Sequence, residues 1–214
     1  MTPALPPVGE RIREARLRDG ISLRGLARAV GVSASLISQI ETGKSRPSVS
    51  TLYAITKALG ISVEDVFDGP EPDAVPAPPR VGPDRVVATA VQAAGHRVGP
   101  VVRPAGRDVL QLDSGVTWER LGHLPGTRVD FLLVTYAPGG SSSSGDLLMR
   151  HSGAEYGYLI EGELTVTLGF EEYRLGPGDA VSFPSTTPHR YRNDGVVPAV
   201  GIWYVHEDDE PTVK

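Results

Sequence analysis

Two short helical patterns joined by a tight turn, in residues 22–46 (SLRGLARAVGVSASLISQIETGKSR), constrain this chain more than any other stretch. Ser22 is placed to cap a helix over roughly 23–30, and Gly31 to stop it, because glycine takes the left-handed backbone of a helix end without steric cost. Ser33 starts the next helix and Gly43 ends it. Neither serine has Glu or Gln three residues on, so each cap is a hydroxyl without the reciprocal partner of a capping box. The second helix is divided: Ile37 and Ile40 on one face, Ser35, Ser38 and Gln39 on the other. A helix so divided can pack on a scaffold and press a bare, hydrogen-bonding face into a DNA major groove.

The flanks supply the scaffold. From Gly9, Ile12 and Ala15 are spaced for one buried face amid Arg11, Arg13, Arg16 and Arg18, and Asp19-Gly20 ends that helix. Pro47 blocks extension of the third helix. Ser50 opens a fourth with Leu52, Ile55, Ala58 and Leu59 inward, and a short fifth follows Ser62 through Val66 and Phe67. The net charge of −5 suits a nucleic-acid binder poorly until the chain is divided. Residues 1–67 hold 9 Lys and Arg against 6 Asp and Glu, whereas residues 68–214 hold 12 against 20. A mildly basic head on an acidic body fits a small DNA-reading module that carries a second domain.

Six prolines from Pro70 to Pro83 read as an extended linker, and Val86 to Ala94 fits a helix or a strand equally. The domains expected are therefore 9–68, a linker and ambiguous segment over 69–100, and 101–208. From Val101 the chain turns to short β-branched and aromatic runs, including VVRPAGRDVLQL, RVDFLLVTY and YGYLIEGELTVTL, separated by Gly- and Pro-rich turns. Many short strands at this spacing point to a sandwich or small barrel. The absence of cysteine excludes disulfides and thiolate metal sites, and it fits a reducing cytosol. With no apolar leader and no run of 18 apolar residues, the expected location is cytoplasmic, without membrane attachment.

Leu26-Ala27, Gly31, Val32-Ser33, Ile37, Ile40-Glu41, Gly43, Pro47, Leu52, Ala58-Leu59-Gly60 and Phe67 stand in the order found in phage repressors. Over about 9–68 the chain resembles their five-helix, lambda-repressor-like (XRE-type) helix-turn-helix domain. That resemblance implies Ala34, Ser35 and Gln39 at base edges, where Gln can bond adenine bidentately and Ala34 can touch a thymine methyl. It implies phosphate contacts from Ser22, Ser33, Ser38, Lys44 and Arg46. It also pairs Arg16 with Glu41 as a structural tie, the alternative being two solvated charges. One such module binds weakly, so two copies on a palindromic operator, and hence a homodimer joined through the β domain, are expected.

In the second half, Met149-x-His151-x3-Glu155-x6-Gly162 and Gly178-x5-Pro184-x-Thr186-x2-His189-x3-Asn193 resemble the two motifs of the cupin barrel, a double-stranded β-helix or jelly roll. The motif core spans 128–206. Met149 stands where the family has a first His, and Thr186 where it has Gly. The shared parity of 149, 151 and 155 places them on one face wherever the strand is regular. His151, Glu155 and His189 then form a two-His, one-carboxylate set for a divalent metal such as iron, zinc, manganese or nickel. The alternative is a metal-free polar network around an organic effector, with Met149 and Tyr191 at the ligand. Tyr158 is expected in the core. His96, His123 and His206 lack motif spacing and are expected on surfaces or loops, Ser141 to Ser144 in a plain loop or a lid, and Glu207 to Glu210 in solvent.

Both modules in this order resemble transcriptional regulators with an N-terminal helix-turn-helix and a C-terminal cupin. The resemblance implies a DNA-binding regulator, not an enzyme, whose barrel senses a small molecule or metal. Two alternatives stay open: an iron-dependent cupin oxidoreductase resembling the phosphonate epoxidase that completes fosfomycin, and a DNA binder whose cupin is purely structural. The Pro-rich linker argues that any signal travels through dimer geometry or through a head-to-barrel interface.

Overall fold

Helix ends in the first half are set by hydroxyls and glycines. The computed structural model describes residues 8–67, 101–124, 127–143, 145 and 147–207. Helices α1 (Val8–Arg18), α2 (Leu23–Val30), α3 (Ala34–Glu41), α4 (Val49–Leu59) and α5 (Val63–Phe67) follow in order. The Ser22 and Ser33 hydroxyls accept from the backbone N–H groups of Gly25 and Leu36, as single-residue caps do. Gly31 closes α2 at φ 78°. The fourth helix corrects one expectation: its cap is Ser48, which accepts from Thr51 N–H, and Ser50 lies inside the first turn. Ile12, Leu26, Ile37, Leu52 and Ile55 are fully buried at the centre of the bundle. Burial of such side chains contributes about 1.5–3 kcal/mol each.

The Arg16–Glu41 tie is real and buried. Nε and Nη2 of Arg16 donate to the two carboxylate oxygens of Glu41 at 2.6 and 2.8 Å, and Nη1 donates to the carbonyl of Ile21. This fork joins α1 to the end of α3, so it fixes the tilt of the divided helix.

Among the described residues nine strands form the second half: β1 (Val109–Gln111), β2 (Val116–Gly122), β3 (Val129–Tyr136), β4 (Ala154–Glu161), β5 (Leu164–Leu168), β6 (Glu171–Leu175), β7 (Ala180–Pro184), β8 (His189–Arg192) and β9 (Ala199–His206). They make a six-stranded sheet, β1-β2-β3-β9-β4-β7, and a three-stranded sheet, β6-β5-β8, all antiparallel in their pairings. This is the cupin jelly roll. Residues 101–108 form no strand, and Pro104–Gly106 is a turn of 3₁₀ helix instead.

Alternation along the strands decides what the barrel encloses. On β3, Asp130, Leu132, Val134 and Tyr136 point inward, and on β9 Ala199, Gly201, Trp203 and Val205 do so. The opposite parity leaves Phe131, Tyr204 and Tyr156 in one cross-strand row on the outer face, with Leu133, Ile202 and Tyr158 in the next. Tyr158 is therefore half exposed on the outer face of the sheet, contrary to its expected place in the core. Among the described residues no helix is long and apolar enough to cross a membrane.

The helical head sits on one end of the barrel. Ser50 N–H donates to the carbonyl of Ser142, and Asp113 N–H donates to that of Pro47, both at 2.9 Å. Phe67 lies under the Arg120 guanidinium at 5.4 Å, and Glu64 pairs with His123 at 3.2 Å. His123 lies in the loop after β2, as expected, and there it faces Glu64 of the head. Ser142 is buried at this seam, and Ser143 is buried beside it with its hydroxyl donating to the Leu147 carbonyl, so neither forms an exposed lid. His206 is exposed as expected, Glu207 is half-buried, and His96, Val86–Ala94, Ser144 and residues 208–210 lie outside the described residues.

Candidate functional site

Two surfaces carry chemistry. The first is the outer face of α3. Ser35 and Gln39 are exposed there and Ala34 and Ser38 half-buried, while Ser22, Ser33, Lys44 and Arg46 are exposed around it. Ser22 and Ser33 spend an acceptor lone pair on capping, which leaves each O–H free to donate outward. The apolar side of α3, Ile37 and Ile40, is turned into the bundle.

The second site lies inside the barrel. Met149, ahead of β4, and His189, at the start of β8, bridge through both backbone hydrogen bonds, each 2.9 Å. His151 follows in the loop, and Glu155 enters from β4. Nε2 of His151 lies 2.8 Å and Nε2 of His189 2.9 Å from the same oxygen, Oε1 of Glu155. The other carboxylate oxygen accepts from the Tyr191 hydroxyl at 2.7 Å. All four groups are buried. Met149 and Tyr191 line the small cavity beside Glu155.

The donor set fits a cation. Nδ1 of His189 faces the carbonyl of Thr187 at 2.8 Å, and Nδ1 of His151 faces that of Ser152 at 3.1 Å. Carbonyls only accept, so each Nδ1 carries a proton, and in the neutral rings each Nε2 is a bare lone pair. Two lone pairs and a carboxylate then converge in a buried space, which requires either added protons or a metal ion. Nε2 of His189 also makes no well-directed hydrogen bond to any protein atom. The three ligand atoms lie within 4.8 Å of one another, and second carbonyl contacts of this kind orient histidine ligands. In the alternative with protons added at both Nε2 atoms, burial pushes the Glu155 carboxyl up, but hydrogen bonds from His151 and His189 and their charge outweigh it and hold it at about 2.

Tyr53 completes the site from the head, and the sequence reading did not single it out. Its ring stacks on the His151 imidazole, centroids 4.4 Å apart and planes 1° from parallel. Its hydroxyl donates to Oδ2 of Asp130 at 3.2 Å. The available signal was on α4 itself, where Val49, Tyr53 and Thr56 form a second buried stripe beside Leu52, Ile55 and Leu59. A helix apolar on two sides is covered on two sides.

The surroundings of Asp130 favour its protonated form. Burial raises its pKa well above the usual carboxylate range, repulsion from Glu207 and Glu64 adds to this, and the Tyr53 hydroxyl offsets part of it. A carboxyl with a raised folded pKa contributes stability that is complete at acid pH and lost as pH rises through that value. Asp130→Asn, which keeps the acceptor and cannot ionise, is expected to match the wild-type Tm below about pH 4, under the unfolded carboxyl value, and to exceed it by a growing margin as pH rises above that. Parallel Tm curves for the two proteins across that range would remove the assignment.

Comparison with known proteins places both halves. A helix-turn-helix family model matches residues 12–66 and a cupin-domain model matches residues 132–205. The transcriptional regulator PuuR of Escherichia coli K12 is 28% identical over 187 residues, 86% of each chain. An HTH-type transcriptional regulator of Archaeoglobus fulgidus is 39% identical over 57 residues, 27% of this chain and 81% of its own length. The crystal structure of an HTH_3-family transcriptional regulator from Vibrio cholerae superposes with a TM-score of 0.61 at 19% identity, covering 95% of this chain and 97% of the other.

Proposed function

This chain belongs to the helix-turn-helix transcriptional regulators that carry a C-terminal cupin domain, and we propose that it acts in the cytoplasm as a homodimer on a palindromic operator, with the barrel as its sensor. The observation that carries this reading is the exposed, small and polar outer face of α3 on a fully packed bundle. Ala34, Ser35 and Gln39 read base edges, and Ser22, Ser33, Ser38, Lys44 and Arg46 hold phosphates. The aromatic rows on the outer face of β3, β9 and β4 support pairing through the barrels. Half-sites then lie about one helical turn apart.

In the barrel, His151, Glu155 and His189 hold a divalent cation. When bound, such an ion would neutralise the Glu155 carboxylate and order the loop between Met149 and β4. Tyr191 fixes the carboxylate and Met149 walls the cavity.

The test is selection of binding sites from random duplexes, followed by Gln39→Ala on the selected site. The wild type is expected to enrich a palindrome. Loss of a bidentate adenine contact is expected to cost about 1–3 kcal/mol, roughly 5- to 150-fold in affinity, and to relax preference at that base pair. An unaltered affinity and preference in Gln39→Ala would remove α3 as the reading element.

The facial character of the His151–Glu155–His189 set favours one second reading, an iron-dependent oxidoreductase. Oxygen consumption by the iron-loaded protein with phosphonates would support it, and uptake of iron without any turnover would count against it.

A further inference from the structure

The chamber beneath the metal-type triad is closed by the reading head. Val49 and Tyr53 of α4 form one wall, and Trp118, Leu132, Met149 and Trp203 form the others. The space left is about 20 Å³, enough for roughly one water and for no organic ligand. Tyr53 walls this space from the head side. Its ring lies flat on His151, packs against Trp118 at 64° with the ring centroids 5.9 Å apart, and its hydroxyl donates to the buried Asp130.

We infer that the head is itself the resident occupant of the barrel chamber, so an organic effector enters only by displacing Tyr53 and undocking the head. The inference rests on the regulator reading and names how that regulator is switched. The effector class follows from what Tyr53 does: a flat ring that stacks on His151 and carries a hydroxyl able to donate to Asp130. Docking leaves Ser35 and Gln39 exposed, so the docked head can still meet DNA. Undocking removes the fixed spacing between the two heads of a dimer, and operator affinity falls. The two interdomain backbone bonds, Ser50 to Ser142 and Asp113 to Pro47, report the docked state directly.

The experiment uses the full chain and p-cresol, which is the Tyr53 side chain detached from its helix. By calorimetry, Tyr53→Ala is expected to bind p-cresol at least about tenfold more tightly than the wild type, because the competing ring is gone. By hydrogen exchange, the Ser50 and Asp113 amides are expected to exchange roughly tenfold faster in Tyr53→Ala, and faster in the wild type when p-cresol is in excess. The Leu26 amide, bonded within the head to Ser22, serves as the control for a folded bundle. Tyr53→Phe, which keeps the stack and loses the bond to Asp130, should lie between the two. Equal p-cresol binding by wild type and Tyr53→Ala, or unchanged exchange at both interdomain amides, would overturn the inference. Operator binding by the wild type is measured separately, so failure of this switch and failure of the regulator reading give different results.

Discussion

Arg16→Ala is expected to unfold the helical head at temperatures where the wild type is stable. The variant leaves the Glu41 carboxylate inside the bundle without the two charge-assisted hydrogen bonds that now satisfy it. The Arg16 and Glu41 side chains are only 8% and 5% exposed, so water cannot take over. Breaking a buried pair by removing one partner costs about 3–5 kcal/mol. For a module of this size that lowers Tm by more than about 10 °C. Replacing both partners together, Arg16→Met with Glu41→Leu, is expected to recover most of the loss, because no charge is then left stranded. Circular dichroism melts of the three proteins decide it. An Arg16→Ala cost below about 1 kcal/mol would mean that the pair behaves as a solvated surface bridge.

His151→Ala is expected to abolish metal uptake while leaving the barrel folded. The imidazole supplies one of three convergent ligand atoms, and the remaining His189 and Glu155 make a two-point site that holds a divalent ion far more weakly. Protein purified without chelator and assayed by plasma mass spectrometry should carry about one ion per chain in the wild type and almost none in the variant. The backbone of β4 and β8 does not depend on the ring, since Met149 and His189 are joined through main-chain bonds. Equal metal content in both proteins would place the ion elsewhere.

The parts of the fold that repeat a local rule were legible before the structure. The caps at Ser22 and Ser33, the stop at Gly31 and the inward faces of α3 and α4 follow from periodicity and backbone preference. The triad was legible through the resemblance to the two cupin motifs and not through strand parity, since β4 starts only at Ala154 and His151 lies in the loop before it. What the sequence did not show depends on contacts between distant segments. The sequence assigns no role to Tyr53 or Asp130, because their contact forms only when the barrel is placed against α4. Tyr158 went wrong for the opposite reason: an aromatic residue beside a motif looked like core, but strand parity turns it to the outer face. The start of α4 was missed because Ser48 and Ser50 are both good caps, and the choice is made by which hydroxyl meets the Thr51 amide.

In the proposed regulator the state of the barrel site is felt at the DNA-reading surface. Operator affinity of the metal-loaded and the chelated wild type, measured by fluorescence anisotropy at one ionic strength, tests it most directly. The two affinities are expected to differ by at least about fivefold, the lower end of a typical coupling between two sites. The difference is expected to disappear in His151→Ala. Identical affinities for the loaded and chelated wild type would contradict it.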